Sequence, residues 1–416
     1  MNSLKEAVYG LKINKVRTAL TVFGLVIGIA AVIVVLSAGN SVQEFMLGEL
    51  DVFGSNYVIV EVKIPNTVHH STDNAVGQAQ GVTITTLTTD DLEDVIENVP
   101  EIQRGYAGIM GQEVVSYLGE NKKTNLYGVS PSFVDIDQGA KVASGTFFTD
   151  AQNANLEKVV VLGKDVRDEL FGIDSPVGKM IRVGKEKYTV IGVMEERGAD
   201  IFLNLDDMIL VPVKTLQKKI LGVEYVSFFF AEASSEEAAN TSVGQIEQIL
   251  RINHHISGNN PDKDDFAVVT QQQSQNLISE IISGMTIILI AIAGISLVVG
   301  GVGIMNIMYV TVAERTYEIG LRKAIGATRK TILRQFLLEA VMVTFLGGIV
   351  GIMLGVALSY LISIVANSLG YEWPFSISVF SILLGTGVST LVGLVFGLYP
   401  AKRAAQLDPI NALRSE

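Results

Sequence analysis

The sequence predicts a membrane protein: four transmembrane α-helices plus a large mixed α/β extracytoplasmic domain inserted between spans 1 and 2. Three observations predict it. The 416 residues combine a mean hydropathy of +0.40 with only 18% charged residues, too apolar for an ordinary soluble chain of this length. The apolar residues gather in four windows without Asp, Glu, Lys, Arg or His, at 18–43, 281–313, 340–371 and 373–401. These hold 26, 33, 32 and 29 residues, against the roughly 20 that cross a bilayer as a helix. Charge divides with the windows. The segments before the first, between the second and third and after the fourth carry 13 Lys/Arg and 6 Asp/Glu, a net +7, whereas the rest carries 18 and 37, a net −19.

Short basic segments beside spans face the cytoplasm. Both termini are therefore expected inside, and the long insert and the small loop around Glu372 outside, in the cell membrane. The expected order is a cytoplasmic amphipathic helix at 1–17, a first span at 18–43 and an extracytoplasmic domain at 44–275. A stalk with the second span follows at 276–313, then a cytoplasmic segment at 314–339 and a third span at 340–366. A short outer loop at 367–374, a fourth span at 375–400 and a cytoplasmic tail at 401–416 complete it.

In the first segment Ser3 and Glu6 form a capping-box pattern, and Leu4, Val8 and Leu11 share a face opposite Lys5, Lys12, Lys15 and Arg17, a composition suited to anionic headgroups. A cleaved signal peptide is the competing reading of the first span. Its uncharged run is longer than the roughly 7–15 residues of a signal core, which favours an uncleaved anchor.

The insert, about 230 residues long, is enough for two small α/β subdomains. "NYVIVEVKI" (Asn56 to Ile64) reads as a strand, and "DDLEDVIENV" after Thr89 as a capped helix ended by Pro100. "KVVVLGKDVRDELFG" reads as strand then helix. "GKMIRVGKEKYTVIGVM" reads as a hairpin turning near Gly184 to Glu186, and "EYVSFFFAEA" followed by "SSEEAANTSVGQIEQILRIN" as strand then helix. The polar stretch from Asn66 to Gly81 reads as a loop. With no cysteine, neither a disulfide nor a thiolate metal site exists. Neighbouring histidines, as at His69-His70 and His254-His255, cannot both face one site on a regular element, so no metal is expected.

"TQQQSQN" (Thr270 to Asn276) enters the second window without a Gly or Pro break. Its 33 uncharged residues alone would be about 50 Å long as a helix, beyond the roughly 30 Å hydrocarbon core. The spans carry small-residue stripes at Gly24/Gly28, Gly347/Gly351/Gly355 and Gly393/Gly397, which let helices approach closely in lipid. Packing within the chain and a dimer seam fit these stripes equally. None of the four windows contains an ionisable residue, which argues against a carrier with a midplane site. The spans contain no paired acids, histidine or nucleophile constellation either, so an intramembrane protease is not supported.

Between the second and third spans lies "VAERTYEIGLRKAIGATRK", Val312 to Lys330. Read as a helix from Glu314 to Ile325, it aligns Glu314, Glu318 and Arg322 at spacing four, a favourable order for ion pairing. Gly326 is a natural stop, and Thr328 an N-cap for the next helix. By charge alone it is a solvated basic loop. Gly320, Ala324 and Ala327 also permit close approach by a partner protein.

"MNIMYVTVAERTYEIGLRKAIGATRKTILRQFLLEAV" closely resembles the corresponding stretch of the macrolide-exporter (MacB-type) permeases, within the four-span ABC permeases that include lipoprotein-releasing and FtsX-type proteins. "ALTVFGLVIGIAAVIVVLSAGNS", "KVVVLGKDVRDELFG...PVGKMIRVGKEKYTVIGVMEE" and the ending "GLVFGLYPAKRAAQLDPINALRSE" resemble the same family, so the likeness spans the chain, with 276–400 as an FtsX-like permease domain. The resemblance implies a coupling helix docking onto a separate ATPase subunit, with that role falling on Glu314, Arg315, Glu318, Ile319, Gly320, Leu321, Arg322, Lys323, Ala324, Gly326 and Ala327. Unlike the fused exporters, the sequence has no G-x-x-x-x-G-K-[ST] loop; the GK pairs at Gly163, Gly178 and Gly184 lack the earlier glycine. ATP and Mg are therefore expected on the partner, and this chain is expected to be no enzyme and to need no cofactor.

The resulting expectation is a permease subunit that passes ATP-driven motion to its outer domain and so drives efflux of a drug, peptide or lipid-like substrate. It would act as a homodimer or pseudo-symmetric heterodimer, with an adaptor protein as a further partner and no nucleic acid. The competing readings are FtsX-like signalling to a cell-wall hydrolase and an ATPase-independent receptor or anchor.

Overall fold

The computed structural model describes residues 15–51, 56–72, 74, 81–198, 204–258, 260–369, 371 and 373–414. Residues 1–14, most of the expected amphipathic helix, lie outside these, as do 73 and 75–80 of the expected loop. The chain forms two compact units, Met46–Ile278 and the remainder up to Phe45 and from Ser279 onward.

The first unit is built on one eleven-stranded sheet, β1 (Tyr57–Lys63), β2 (His70–Ser71), β3 (Ile102–Tyr117), β4 (Glu120–Val129), β5 (Val142–Gly145), β6 (Val159–Leu162), β7 (Met180–Val183), β8 (Glu186–Met194), β9 (Met208–Pro212), β10 (Phe228–Ala233) and β11 (Phe266–Thr270). Its order is β11-β1-β10-β3-β4-β9-β6-β8-β5, with β2 on β1 and β7 joining β3 to β8. The long β3–β4 hairpin carries one hydrogen-bonded sheet through the unit.

Strand side chains alternate between faces, and each face has its own core. Val60, Ala107, Ile109, Val115, Leu126, Tyr188 and Phe229 lie on the face covered by α2 (Thr89–Asn98), α3 (Lys164–Phe171) and α4 (Glu236–Asn253). Tyr57, Tyr106, Tyr127, Val161, Phe228 and Phe230 lie on the other, beneath Phe133, Ile136 and Phe148. There Tyr106 stacks on Phe230 at 5.0 Å, and the missing side chain of Gly108 makes room for the Phe228 ring. The start of α2 is fixed by a reciprocal cap: Thr88 Oγ1 accepts the Asp91 N–H at 3.4 Å, and Asp91 Oδ2 accepts the Thr88 N–H at 2.8 Å.

Four helices of sufficient length and apolarity to cross a membrane occur among the described residues. They are α1 (Lys15–Asp51), α5 (Gln271–Glu314), α7 (Arg329–Ser368) and α8 (Val379–Gln406). The 44 residues of α5 extend about 66 Å at 1.5 Å per residue. The short α6 (Thr316–Ala324) lies between α5 and α7, and α9 (Pro409–Arg414) follows α8.

The glycine stripes are used inside this chain. A Cβ on Gly24 would meet Gly300 Cα at 3.5 Å, and one on Gly28 would meet Leu297 Cδ2 at 2.8 Å, so α1 packs directly on α5. On α7, a Cβ on Gly351 would lie 2.9 Å from Val26 O and one on Gly355 2.7 Å from Ile33 Cβ; Gly347 is buried on the same helix. A Cβ on Gly393 would lie 2.9 Å from Val341 Cα and one on Gly397 2.5 Å from Ala340 Cβ, which packs α8 on α7.

Candidate functional site

The helix α5 ends at Glu314, and Arg315 breaks the helical path with φ −102° and ψ 16° before α6 begins. The expected helix from Glu314 to Ile325 is thus the nine-residue element Thr316–Ala324, about two and a half turns, with Glu314 on the preceding span helix. Gly326 has φ 106°, a left-handed conformation that suits glycine and ends α6. Thr328 then caps α7, its Oγ1 accepting the Thr331 N–H at 3.3 Å.

The charges on α6 mostly turn inward. Arg315 Nε and Nη2 donate to Glu318 at 2.8 and 3.2 Å, and its Nη1 donates to both Glu339 oxygens on α7 at 3.4 and 3.3 Å. The guanidinium also lies 5.6 Å from the centre of the Phe336 ring. Glu318 accepts Arg322 Nη2 at 2.6 Å as well. Hydrogen bonding from Arg315 lowers the Glu318 pKa, outweighing the opposing effect of burial, so the carboxylate stays ionised.

Lys323 Nζ donates to Ala405 O at 3.1 Å and to Leu407 O, covering carbonyls at the C-terminal end of α8. That end carries partial negative charge, which a lysine there complements. Ile319 is buried, and a Cβ on Gly320 would lie 2.7 Å from Ala412 Cβ on α9. The small size of Gly320, read from sequence as room for a partner protein, admits the chain's own C-terminal helix. Ala327 is half-buried.

What remains outward is compact. Glu314, Leu321, Ala324 and Gly326 are exposed, and so are three residues that the sequence reading did not single out: Tyr317, Ile325 at 80% exposure and Ile410 of α9 at 68%. A signal for α9 was present in "LDPINAL", since Asp408 Oδ1 accepts the Ile410 N–H at 2.8 Å and Pro409 occupies the first helical position. The result is a largely apolar surface, with Glu314 at its edge, held by the inward contacts of Arg315, Arg322 and Lys323.

Among the described residues, no group of three or more His, Cys, Asp or Glu could hold a metal. His70 pairs with Glu61, and His254 Nδ1 lies 2.7 Å from Asp265 Oδ1.

Residues 18–249 match the family model of the MacB-like periplasmic core domain, and residues 290–409 match that of the FtsX-like permease C-terminal region. The chain is 37% identical over 413 residues to the macrolide export ATP-binding/permease protein MacB of Bdellovibrio bacteriovorus, covering 99% of this chain and 61% of that protein. It is 36% identical over 412 residues to its namesake in Chlorobaculum tepidum, with 99% and 61% covered. The chain therefore spans about three-fifths of the length of these curated relatives. The periplasmic region of MacB from Actinobacillus actinomycetemcomitans aligns at 19% identity and a TM-score of 0.45, over 55% of this chain and 95% of that one.

Proposed function

Because the chain belongs to the MacB-like family of multi-pass ABC transporter permeases with an FtsX-like C-terminal region, we propose that it is a transmembrane subunit coupling ATP hydrolysis elsewhere to motion of its extracytoplasmic domain. ATP and Mg bind on a partner ATPase subunit, whose contact is the outward surface of α6 with α9. The permease works as a pair, and its substrate is a drug, peptide or lipid-like molecule already outside the cytoplasm. In this reading the termini and α6 are cytoplasmic and 44–275 extracytoplasmic, as the distribution of Lys and Arg favours.

The observation carrying this proposal is the attachment of α6. Arg315 links it to Glu339 at the base of α7, Lys323 links it to the end of α8, and α5 runs into it after a one-residue break. A force applied at α6 therefore acts on the roots of three span helices together. The 44-residue α5 provides the path outward. Glu314, Leu321, Ala324 and Gly326 meet the ATPase; Arg315, Glu318, Ile319, Gly320, Arg322, Lys323 and Ala327 hold the helix that presents them.

The test uses the permease with its ATPase in nanodiscs. Leu321→Glu with Ile325→Glu is expected to abolish ATPase co-purification and stimulated hydrolysis while insertion is unchanged. Reversal of Arg322 and Lys323 is expected to abolish stimulation as well, through loss of the frame. Unchanged stimulation in both variants would overturn docking at α6.

A further inference from the structure

The sheet face that carries Tyr106, Tyr127 and Phe228 is covered only over part of its length. Farther along the same face, alternation brings Gln112, Val114 and Ser116 of β3, Asn121, Lys123 and Asn125 of β4, Met180 and Arg182 of β7, and Lys187 of β8 to the surface. Most are exposed, Val114 at 50% and Met180 at 61%. The registers Ser116↔Asn121, Ser116↔Arg182 and Arg182↔Lys187 align one row across four strands. Lys185 in the β7–β8 turn adds a fourth exposed cation.

Two features separate this patch from an ordinary solvated surface. None of the strand positions named on this face is a carboxylate, although the parts of the chain beyond the three basic segments carry 37 acidic residues against 18 basic ones. Nor does Lys123, Arg182, Lys185 or Lys187 form an ion pair among the described residues, whereas Lys122, on the opposite face, bridges Glu169 at 2.6 Å and Asp207 at 2.5 Å. Arg182 and Lys187 are also directly opposed across strands, an arrangement of like charges that destabilises a sheet.

We propose that this bare face is a docking surface for an acidic segment of a partner protein in the extracytoplasmic space. Charge complementarity argues for the acidic partner. The spread of the cations over a pleated surface, interleaved with amides, a serine and the exposed Val114 and Met180, fits a polypeptide better than one phosphate group, which needs donors converging on a point. The inference goes beyond the coupling proposal, because it does not require ATP-driven motion.

The chain has no cysteine, so Val114→Cys supplies a single thiol for a fluorophore on this face. Labelled full-length protein in phosphatidylcholine nanodiscs is titrated with poly-L-glutamate. Lys123→Ser, Arg182→Ser and Lys187→Ser together are expected to weaken binding about tenfold, on the scale of three exposed ion pairs, with thermal unfolding confirming a folded protein. Lys141→Ser, Lys218→Ser and Lys219→Ser, three exposed lysines elsewhere on the same unit, are expected to leave binding unchanged. Absence of binding, or equal loss in both triple variants, would overturn the proposal. Tighter binding of phosphatidylglycerol vesicles through the same three residues would assign the face to a lipid headgroup and would overturn it too.

Discussion

Arg315 and Glu339 face each other across the junction of α6 and α7, with Nη1 3.4 and 3.3 Å from the two carboxylate oxygens. Glu339 is only 9% exposed and sits one residue before a window of 32 residues without ionisable groups. A carboxylate in that position needs a fixed cation, and the nearer of the two Arg315 partners, Glu318, anchors the guanidinium from the other side. The pair therefore sets where α6 sits against the membrane helix.

Removing one partner should cost more than removing both. Arg315→Met leaves Glu339 buried without this cation and is expected to destabilise the membrane unit by about 2–4 kcal/mol, as for other broken buried pairs. Arg315→Met with Glu339→Gln is expected to be less destabilised than the sum of the single variants. Thermal unfolding in nanodiscs measures all three. Additivity within about 0.5 kcal/mol would show that the two side chains are not coupled.

The sequence made the membrane helices legible because lipid leaves so little choice: uninterrupted absence of charge over 26 to 33 residues has few other meanings. Local chemistry also revealed α2, though the helix starts one residue earlier than expected, at Thr89 with Thr88 as its cap, and the β7–β8 hairpin, through its Gly184 turn. The β3–β4 hairpin was not legible. Gly105, Gly108 and Gly111 break the apolar pattern of β3, because they accommodate Leu92 with the Phe230 carbonyl, the Phe228 ring and Leu221 from other elements. Similarly, Phe228 to Phe230 show no alternation, since both sheet faces are buried there. At the candidate site, the segment itself was legible but its orientation was not. The contacts that turn Gly320 and Lys323 inward come from Ala412, Ala405 and Leu407, more than 80 residues away, and no local pattern records them.

The extracytoplasmic unit should lose stability in alkali through His254. Burial alone would lower its pKa, but the hydrogen bond to Asp265 and the Asp91 carboxylate, whose Oδ2 lies 3.5 Å from Nε2, outweigh burial and push it up to about 9. Asn253 Nδ2 donates to Asp91 Oδ1 at 2.8 Å, and the Phe266 ring closes the site. The folded pKa is above the ordinary histidine value of about 6.5. The stabilisation is therefore fully present below about pH 6.5 and is lost as pH rises through about 9. It is on the order of 2–3 kcal/mol, from the linkage between pKa and stability. Chemical unfolding of the native protein and His254→Gln at pH 7 and pH 10 should show the loss in the former alone. A parallel decline in both would place the alkaline sensitivity elsewhere.

Two glycines on lipid-spanning helices should respond oppositely to the same substitution. Gly351 of α7 has Val26 O within 2.9 Å of where a Cβ would stand and Ile29 Cβ within 3.0 Å, so a larger side chain must push α1 away from α7. The obstacle on one side is backbone, which cannot swing aside as a side chain can. Gly387 of α8 has nothing within 4 Å of that position. Gly351→Val is expected to destabilise the helix packing by about 1–3 kcal/mol, the usual scale for overpacking. Gly387→Val adds apolar surface where none is excluded and removes a flexible residue from a helix interior, so it should be neutral or slightly stabilising. Comparing the thermal unfolding of the two variants in nanodiscs checks both. Equal loss would overturn the prediction that the space beside Gly387 is free for a larger side chain.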